Sequence, residues 1–98
     1  MHEGASPTAM VRVEFASSLR RHVECPPQSV ATGSLREAIE AALVAAPELA
    51  SYVFDDQRCI RKHVAVFINQ SLVRDRQHLQ QALQPGDHVL VIQALSGG

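Results

Sequence analysis

Two consecutive glycines, Gly97 and Gly98, stand at the C-terminal end of the sequence, after Leu95 and Ser96. A chain that stops there carries its backbone carboxylate on a strip with almost no side-chain bulk. Because glycine has no Cβ, such a strip can enter a narrow channel closed to other residues. We therefore expect the Gly98 carboxylate to be the reactive group, with Gly97 allowing passage. A flexible chain end without a role is the alternative interpretation.

Other constellations that carry chemistry are missing from the sequence. It has neither a G-x-x-x-x-G-K-[ST] loop nor a G-x-G-x-x-G turn for nucleotide phosphates. The histidines occur singly, without the spacing of metal ligands, at His2, His22, His63, His78 and His88. With four aromatic residues, stacking on single-stranded nucleic acid is not expected either. The sequence predicts a protein that is not itself an enzyme and that binds no metal or cofactor.

Composition indicates one globular domain, since 98 residues of which 46% are hydrophobic can bury a modest core. The formal net charge of −1 gives no global attraction to nucleic acid or to a membrane. We expect a cytoplasmic protein, because the sequence contains neither a membrane-spanning run nor a secretory signal. Cys25 and Cys59 are far apart in sequence and are expected to be reduced thiols.

The first half of the sequence predicts two strands and a helix. Residues 1–9 are predicted to be disordered, and the alternating run 10–15 predicts a strand that points Val11, Val13 and Phe15 inward. The extended segment 22–31 contains two prolines and should be an edge strand or a broken one. Ser34 and Glu37 have the spacing of a capping box, and apolar residues follow at helical spacing as far as Pro47.

The second half predicts three strands separated by turns. We expect a strand over 63–68, a turn at 69–70, a short strand over 71–73 and a brief helical turn over 79–83. Pro85-Gly86-Asp87 predicts a turn before the last strand, 88–94. One helix can cover one face of such a sheet, so the fold class is α+β. The domain is expected to span 10–94, followed by a flexible tail over 95–98.

Three segments together resemble the ubiquitin-like sulfur carriers of the MoaD/ThiS group, including the related carriers of cysteine and siderophore biosynthesis. They are the hairpin 66–73, the Leu83-x-Pro85-Gly86-Asp87-x-Val89 turn and the terminal Ser96-Gly97-Gly98. The resemblance covers residues 10–98. It implies a β-grasp fold in which one mixed sheet of about four to five strands packs on one main helix.

The resemblance also implies a function for the tail. In this family an adenylating enzyme activates the terminal glycine carboxylate with ATP, and a persulfide converts it to a thiocarboxylate. Gly98 would then donate sulfur to a biosynthetic enzyme for molybdopterin, thiamine, cysteine or a similar product. The partner consumes the ATP, and the carrier binds no cofactor. Two alternatives remain: a protein modifier joined to lysines through Gly98, and a β-grasp interaction module that never uses its carboxylate.

The alternation of the last strand predicts where these partners bind. Val89 and Val91 share one face and Leu90 and Ile92 share the other. If the valines pack under the helix, Leu90 and Ile92 form an exposed apolar surface, to which we add Leu72, Leu95 and Ser96. Loops that cover both faces are the alternative arrangement. Phe67 could lie on either face, because its neighbours compete with it for the core.

Overall fold

The computed structural model describes residues 10–16 and 26–93 of the chain. In chain order the elements are β1 (Met10–Phe15), β2 (Gln28–Ala31), α1 (Leu35–Leu43), a 3₁₀ turn (Pro47–Leu49), α2 (Ala50–Val53), β3 (Val64–Ile68), β4 (Ser71–Leu72) and β5 (His88–Gln93). The predicted disorder of residues 1–9, and everything from Ala94 onward, lie outside the described residues. So do Cys25 and the start of the predicted segment 22–31.

The strands form one five-stranded mixed sheet in the order β2-β1-β5-β3-β4. Strand β5 is central and runs parallel to β1, whereas the other neighbouring pairs are antiparallel. The short strand β2 follows the two prolines and lies at one edge, as predicted. This topology, with helix α1 packed on one face, is a β-grasp, and it confirms the predicted fold class.

Helix α1 begins as the sequence predicts. The backbone N–H of Glu37 donates to the Ser34 hydroxyl, and the Glu37 carboxylate accepts from the backbone N–H of Ser34. This reciprocal capping box satisfies two donors that a helix start leaves unpaired. The buried stripe of the helix packs against the sheet and consists of Leu35, Ala38, Ile39, Ala42 and Leu43.

The core lies between α1 and the inner face of the sheet. Val11, Val13 and Phe15 of β1 are all buried there, as the alternation predicts. Val89 and Val91 of β5 are fully buried beside them. One face of the sheet is therefore used for folding, and among the residues 10–16 and 26–93 no helix packs on the opposite face.

The predicted helical turn over 79–83 is wrong. Leu79 has a positive φ of 53° and is fully buried, and Ala82 forms an isolated β-bridge with Ser34. The backbone N–H groups of Leu35 and Arg36 donate to the carbonyls of Gln81 and Leu79, at 2.9 and 3.0 Å. The segment is not helical, and it supplies acceptors to the start of α1, a long-range role that local spacing cannot reveal.

The approach to this segment is fixed by Asp75. Its carboxylate accepts backbone N–H groups from His78, Gln77 and Leu79, at 3.0, 3.1 and 2.9 Å. The hydrogen bond from His78 is the main cause that holds the pKa of Asp75 below its ordinary value of 3.8. The charged carboxylate therefore acts as a clamp on this loop, in the sense that its three hydrogen bonds fix the backbone of residues 77–79.

None of the helices in the described ranges 10–16 and 26–93 is long and apolar enough to cross a membrane.

Candidate partner-binding site

The register of the sheet places three apolar residues in a row on the open face. Phe67 of β3 pairs with Leu90 of β5 on one side and with Leu72 of β4 on the other. Directly paired residues point to the same face of a sheet. Ile92 lies two positions along β5 and shares this face. We call Phe67, Leu72, Leu90 and Ile92 the apolar strip.

The strip is accessible to a partner. Leu72 is 51% exposed, and Phe67, Leu90 and Ile92 are half-buried. A shallow groove of about 460 Å³ runs along it, and its lining residues are Phe67, Gln70, His88, Leu90 and Ile92. Apolar side chains that remain together on a folded surface are typical of a protein–protein contact. The groove has room for apolar side chains of another protein.

The sequence identified part of this surface and missed the rest. Leu72, Leu90 and Ile92 are brought together as predicted. Phe67, whose face the sequence left open, belongs to the strip, because Val64 and Val66 take the buried positions of β3. The alternation of β3 is a sequence signal that Phe67 lies on the face opposite Val64 and Val66. The register against β5 then shows that this face is the one that carries Leu90. Gln70 and His88 had no sequence signal as groove residues.

A polar cluster borders the groove at the start of β5. The Nε2 atom of His88 lies 3.0 Å from Oε1 of Glu14, on the neighbouring strand β1. His88 and Gln70 both line the groove. The apolar strip therefore has polar groups along part of its rim, as protein interfaces commonly have.

Two of the three segments that carried the family resemblance, the hairpin and the Pro-Gly-Asp turn, are hydrogen-bonded to each other. The Asn69 side chain donates to Asp87 at 2.8 Å and accepts the backbone N–H of His88 at 2.9 Å. Asn69 has a positive φ of 49°, a conformation that asparagine tolerates better than most residues. Asp87 also accepts the backbone N–H of Gln84 at 2.8 Å. The hairpin and the Pro-Gly-Asp turn therefore fix the start of the central strand.

The central strand leads to the predicted reactive tail. Its last residue, Gln93, lies opposite Val64, the first residue of β3. Leu95, Ser96, Gly97 and Gly98 fall outside the described residues, so their predicted roles stay predictions. At about 3.4 Å per residue, five extended residues after Gln93 reach at most about 17 Å. A partner that acts on Gly98 must therefore come close to this end of the sheet.

Other candidate groups do not assemble a site in the described part of the chain. Residues 10–16 and 26–93 contain no cluster of three or more histidine, cysteine, aspartate or glutamate side chains that could hold a metal ion. Cys59 is a half-buried free thiol in the loop after α2. Asp55 accepts the backbone N–H groups of Gln57 and Cys59, so it caps that loop.

Comparison with solved structures places the fold among small ubiquitin-like proteins. SAMP1 from Haloferax volcanii is 22% identical, with a TM-score of 0.74 over 91% of this chain and 99% of that one. CysO, from the Amycolatopsis orientalis BexX/CysO complex, is 21% identical, with a TM-score of 0.69 over 90% and 99%. Urm1 from Trypanosoma brucei is 17% identical, with a TM-score of 0.60 over 96% and 100%.

Sequence comparison gives the family. No curated protein matches the sequence at a significant level. Residues 17–98 match the ThiS family, and this match includes the hairpin, the Pro-Gly-Asp turn and the terminal glycines. With its ubiquitin-like β-grasp fold, the chain belongs to the ThiS family.

Proposed function

We propose that this protein is a sulfur carrier in which the Gly98 carboxylate is adenylated by a partner enzyme and converted to a thiocarboxylate. The ThiS family match, which runs through Gly98, is the observation that carries the proposal. The protein acts as a co-substrate, and the partner binds and consumes ATP. Gly97 gives the tail the small cross-section that a narrow active-site channel requires.

The chemistry starts from a poor electrophile. A carboxylate oxygen of Gly98 attacks the α-phosphorus of ATP, which forms an acyl-adenylate and releases pyrophosphate. The terminal sulfur of a persulfide then attacks the acyl carbon and expels AMP, which leaves an acyl disulfide. A thiol cleaves the S–S bond, so the thiocarboxylate stays on Gly98 while the donor sulfur and the thiol form a disulfide. The thiocarboxylate is the nucleophile that the acceptor enzyme receives.

The open face gives the partner a place to bind. Docking on the apolar strip would bury the exposed part of Leu72 and the remaining surface of Phe67, Leu90 and Ile92. Strand β5 contributes two strip residues and also leads into the tail, and it is hydrogen-bonded to a strand on each side. A partner bound at the strip therefore meets the tail at a fixed starting point. We assign Leu95 and Ser96 to the segment that enters its channel.

The acceptor of the sulfur is a second partner. The Amycolatopsis orientalis relative was solved as a BexX/CysO complex, which supports binding of a further protein by this fold. We propose a biosynthetic enzyme of the molybdopterin, thiamine or cysteine type as the acceptor. We place the reaction in the cytoplasm, where both partners would act.

A second candidate function is protein modification. Two solved structures similar to this chain are those of small archaeal modifier proteins. A modifier would use the same adenylate, but a lysine amine of another protein would attack the acyl carbon and form an isopeptide bond. The two functions therefore differ only after activation, in the nucleophile that displaces AMP.

ATP–pyrophosphate exchange tests the shared first step. The full chain is mixed with each member of a panel of purified adenylating enzymes, ATP and labelled pyrophosphate. At least one enzyme should catalyse exchange that depends on the chain, and removal of Gly98 should abolish it while the thermal unfolding curve is unchanged. Equal exchange with the shortened chain, or no exchange with any enzyme, would refute activation at Gly98.

A further inference from the structure

A short basic turn lies at the end of the sheet where the tail begins. Arg61, Lys62 and His63 are consecutive and exposed, and they directly precede β3. The first residue of β3, Val64, is paired with Gln93, the last residue of β5. The sheet register therefore brings the backbone of this turn close to Gln93, from which it is 30 to 32 residues away in sequence.

The turn borders a small cleft of about 340 Å³ that is distinct from the groove on the open face. Its lining residues are Ser51, Tyr52, Arg61, His63, Val64 and Gln93. One wall belongs to α2 and the other to the start of β3 and the end of β5. A group that enters this cleft would touch the last described residue before the tail.

The turn is held in place by hydrogen bonds of Arg61 and of Arg76, which lies outside it. Nε of Arg61 donates to the carbonyl of Ser51 at 2.7 Å. The other N–H donors of this guanidinium have no acceptor within the described part of the chain. Arg76 donates to the carbonyl of Val64 at 2.6 Å and also to the carbonyl of Arg61, which adds a cation behind the turn. The guanidinium of Arg61 is therefore fixed in position while most of its N–H donors remain available to a partner.

The turn forms no ion pair with the described residues. Among residues 10–16 and 26–93, no carboxylate oxygen lies within 4.0 Å of the side-chain nitrogens of Arg61, Lys62 or His63. Asp55 and Asp56 line the neighbouring cavity on another side of Arg61. Asp55 accepts backbone N–H groups of its own loop, so its carboxylate is directed toward that loop, and both carboxylates lie on the side of Arg61 away from the cleft at Gln93. Since the whole chain has a net charge of −1, any attraction of an acidic partner to this turn acts only locally.

We propose that Arg61, Lys62 and His63, with the cleft beside them, bind an acidic segment of the activating enzyme at the mouth of the channel that receives the tail. This inference rests on the proposed function. A tail of about 17 Å at most forces the mouth of that channel close to Gln93. Carboxylates at that mouth would meet the unused donors of Arg61 and the ammonium of Lys62. The contact complements the apolar strip by fixing the direction in which the tail enters.

Charge reversal of Lys62 tests this contact. The activating enzyme is the one that gives exchange with the wild-type chain, and binding is measured without ATP at about 50 mM salt, where surface charges are weakly screened. Lys62→Glu should weaken binding by about tenfold, because an attraction becomes a repulsion. The difference should shrink to less than about twofold in 0.5 M salt.

The matched control changes charge by the same amount elsewhere. The double variant Gln80→Glu, Gln81→Glu also lowers the net charge by two, but its side chains are exposed beside the start of α1. It should bind like the wild type, and thermal unfolding should show that all three proteins are folded. An equal loss in the control would refute the local contact and indicate an effect of overall charge.

Two further outcomes separate this inference from the proposed function. Exchange that is normal for the wild type, with unchanged binding of Lys62→Glu at low salt, would overturn only the acidic contact. A defect of Lys62→Glu that appears only when ATP is added would also overturn it, because the anion would then be the nucleotide. Failure of every enzyme to activate the wild-type chain would remove the proposed function itself.

Discussion

An isoleucine-to-alanine substitution should have different effects on the buried side and on the exposed side of the sheet. Ile39→Ala and Ile92→Ala remove the same atoms. Ile39 lies on α1, fully buried against the sheet, whereas Ile92 is half-buried on the apolar strip. Ile39→Ala should therefore reduce the stability of the fold and leave binding intact. Ile92→Ala should cost less stability than Ile39→Ala and should also reduce binding of the activating enzyme.

The structure gives the expected magnitudes. Ile39→Ala loses the transfer free energy of the side chain and leaves a cavity, so the free energy of unfolding should fall by about 2–5 kcal/mol. The better helix propensity of alanine returns only a few tenths of a kcal/mol. Ile92→Ala leaves no closed cavity and loses about half of a full side-chain burial, roughly 1 kcal/mol. The other half of the Ile92 side chain becomes buried only when a partner covers the apolar strip.

Denaturant unfolding and a binding titration together decide the matter. The titration is run at a temperature where both variants are folded. Ile92→Ala should weaken binding by about fivefold, which corresponds to roughly 1 kcal/mol of lost burial, and Ile39→Ala should bind like the wild type. Equal losses of stability would show that Ile92 is a core residue. Unchanged binding of Ile92→Ala would show that the partner does not use the strip.

Two further predictions concern the loops that support the site. Gly86 has φ +88° with open space around its Cα, so Gly86→Ala should cost about 1–2 kcal/mol through backbone strain alone, and unchanged denaturant unfolding would contradict this. Asp75 has a folded-state pKa below its unfolded value, so it stabilises the fold above pH 3.8, and this contribution disappears as pH falls through the folded pKa. Melting temperatures measured at decreasing pH should therefore fall more steeply for the wild type than for Asp75→Asn, and parallel curves would contradict the clamp.

Local signals in the sequence were sufficient for much of the fold. The start of α1 follows from Ser34 and Glu37, because a capping box needs only residues three positions apart. The two faces of β5 follow from alternation, since successive side chains of a strand point to opposite sides. Both Val89 and Val91 are buried, and both Leu90 and Ile92 remain partly exposed.

Features that depend on distant partners could not be predicted in the same way. Leu79 lies in a non-helical segment, and its carbonyl accepts from Arg36, which is 43 residues earlier in the chain. The face of Phe67 is fixed by its pairing with Leu90 and Leu72, and alternation alone did not decide it. The basic turn around Lys62 reaches the root of the tail only through the β3–β5 register.

Part of the site has a structural explanation that the motifs alone did not give. The asparagine of the hairpin and the aspartate of the turn were markers of family resemblance in the sequence. In the fold, Asn69 and Asp87 hydrogen-bond to each other and position the first residue of the central strand. These residues therefore support the strip and the tail indirectly, while the chemistry is assigned to Gly98.

The intact mass of the protein after sulfur loading tests the central claim most directly. The chain is incubated with the adenylating enzyme that supports exchange, ATP, a persulfide donor and a thiol. The proposed function predicts a mass increase equal to the replacement of one oxygen by one sulfur, located on Gly98 by fragmentation and missing when Gly98 is deleted. An unchanged mass, or a sulfur found on Cys25 or Cys59, would contradict the assignment of Gly98 as the sulfur-bearing residue.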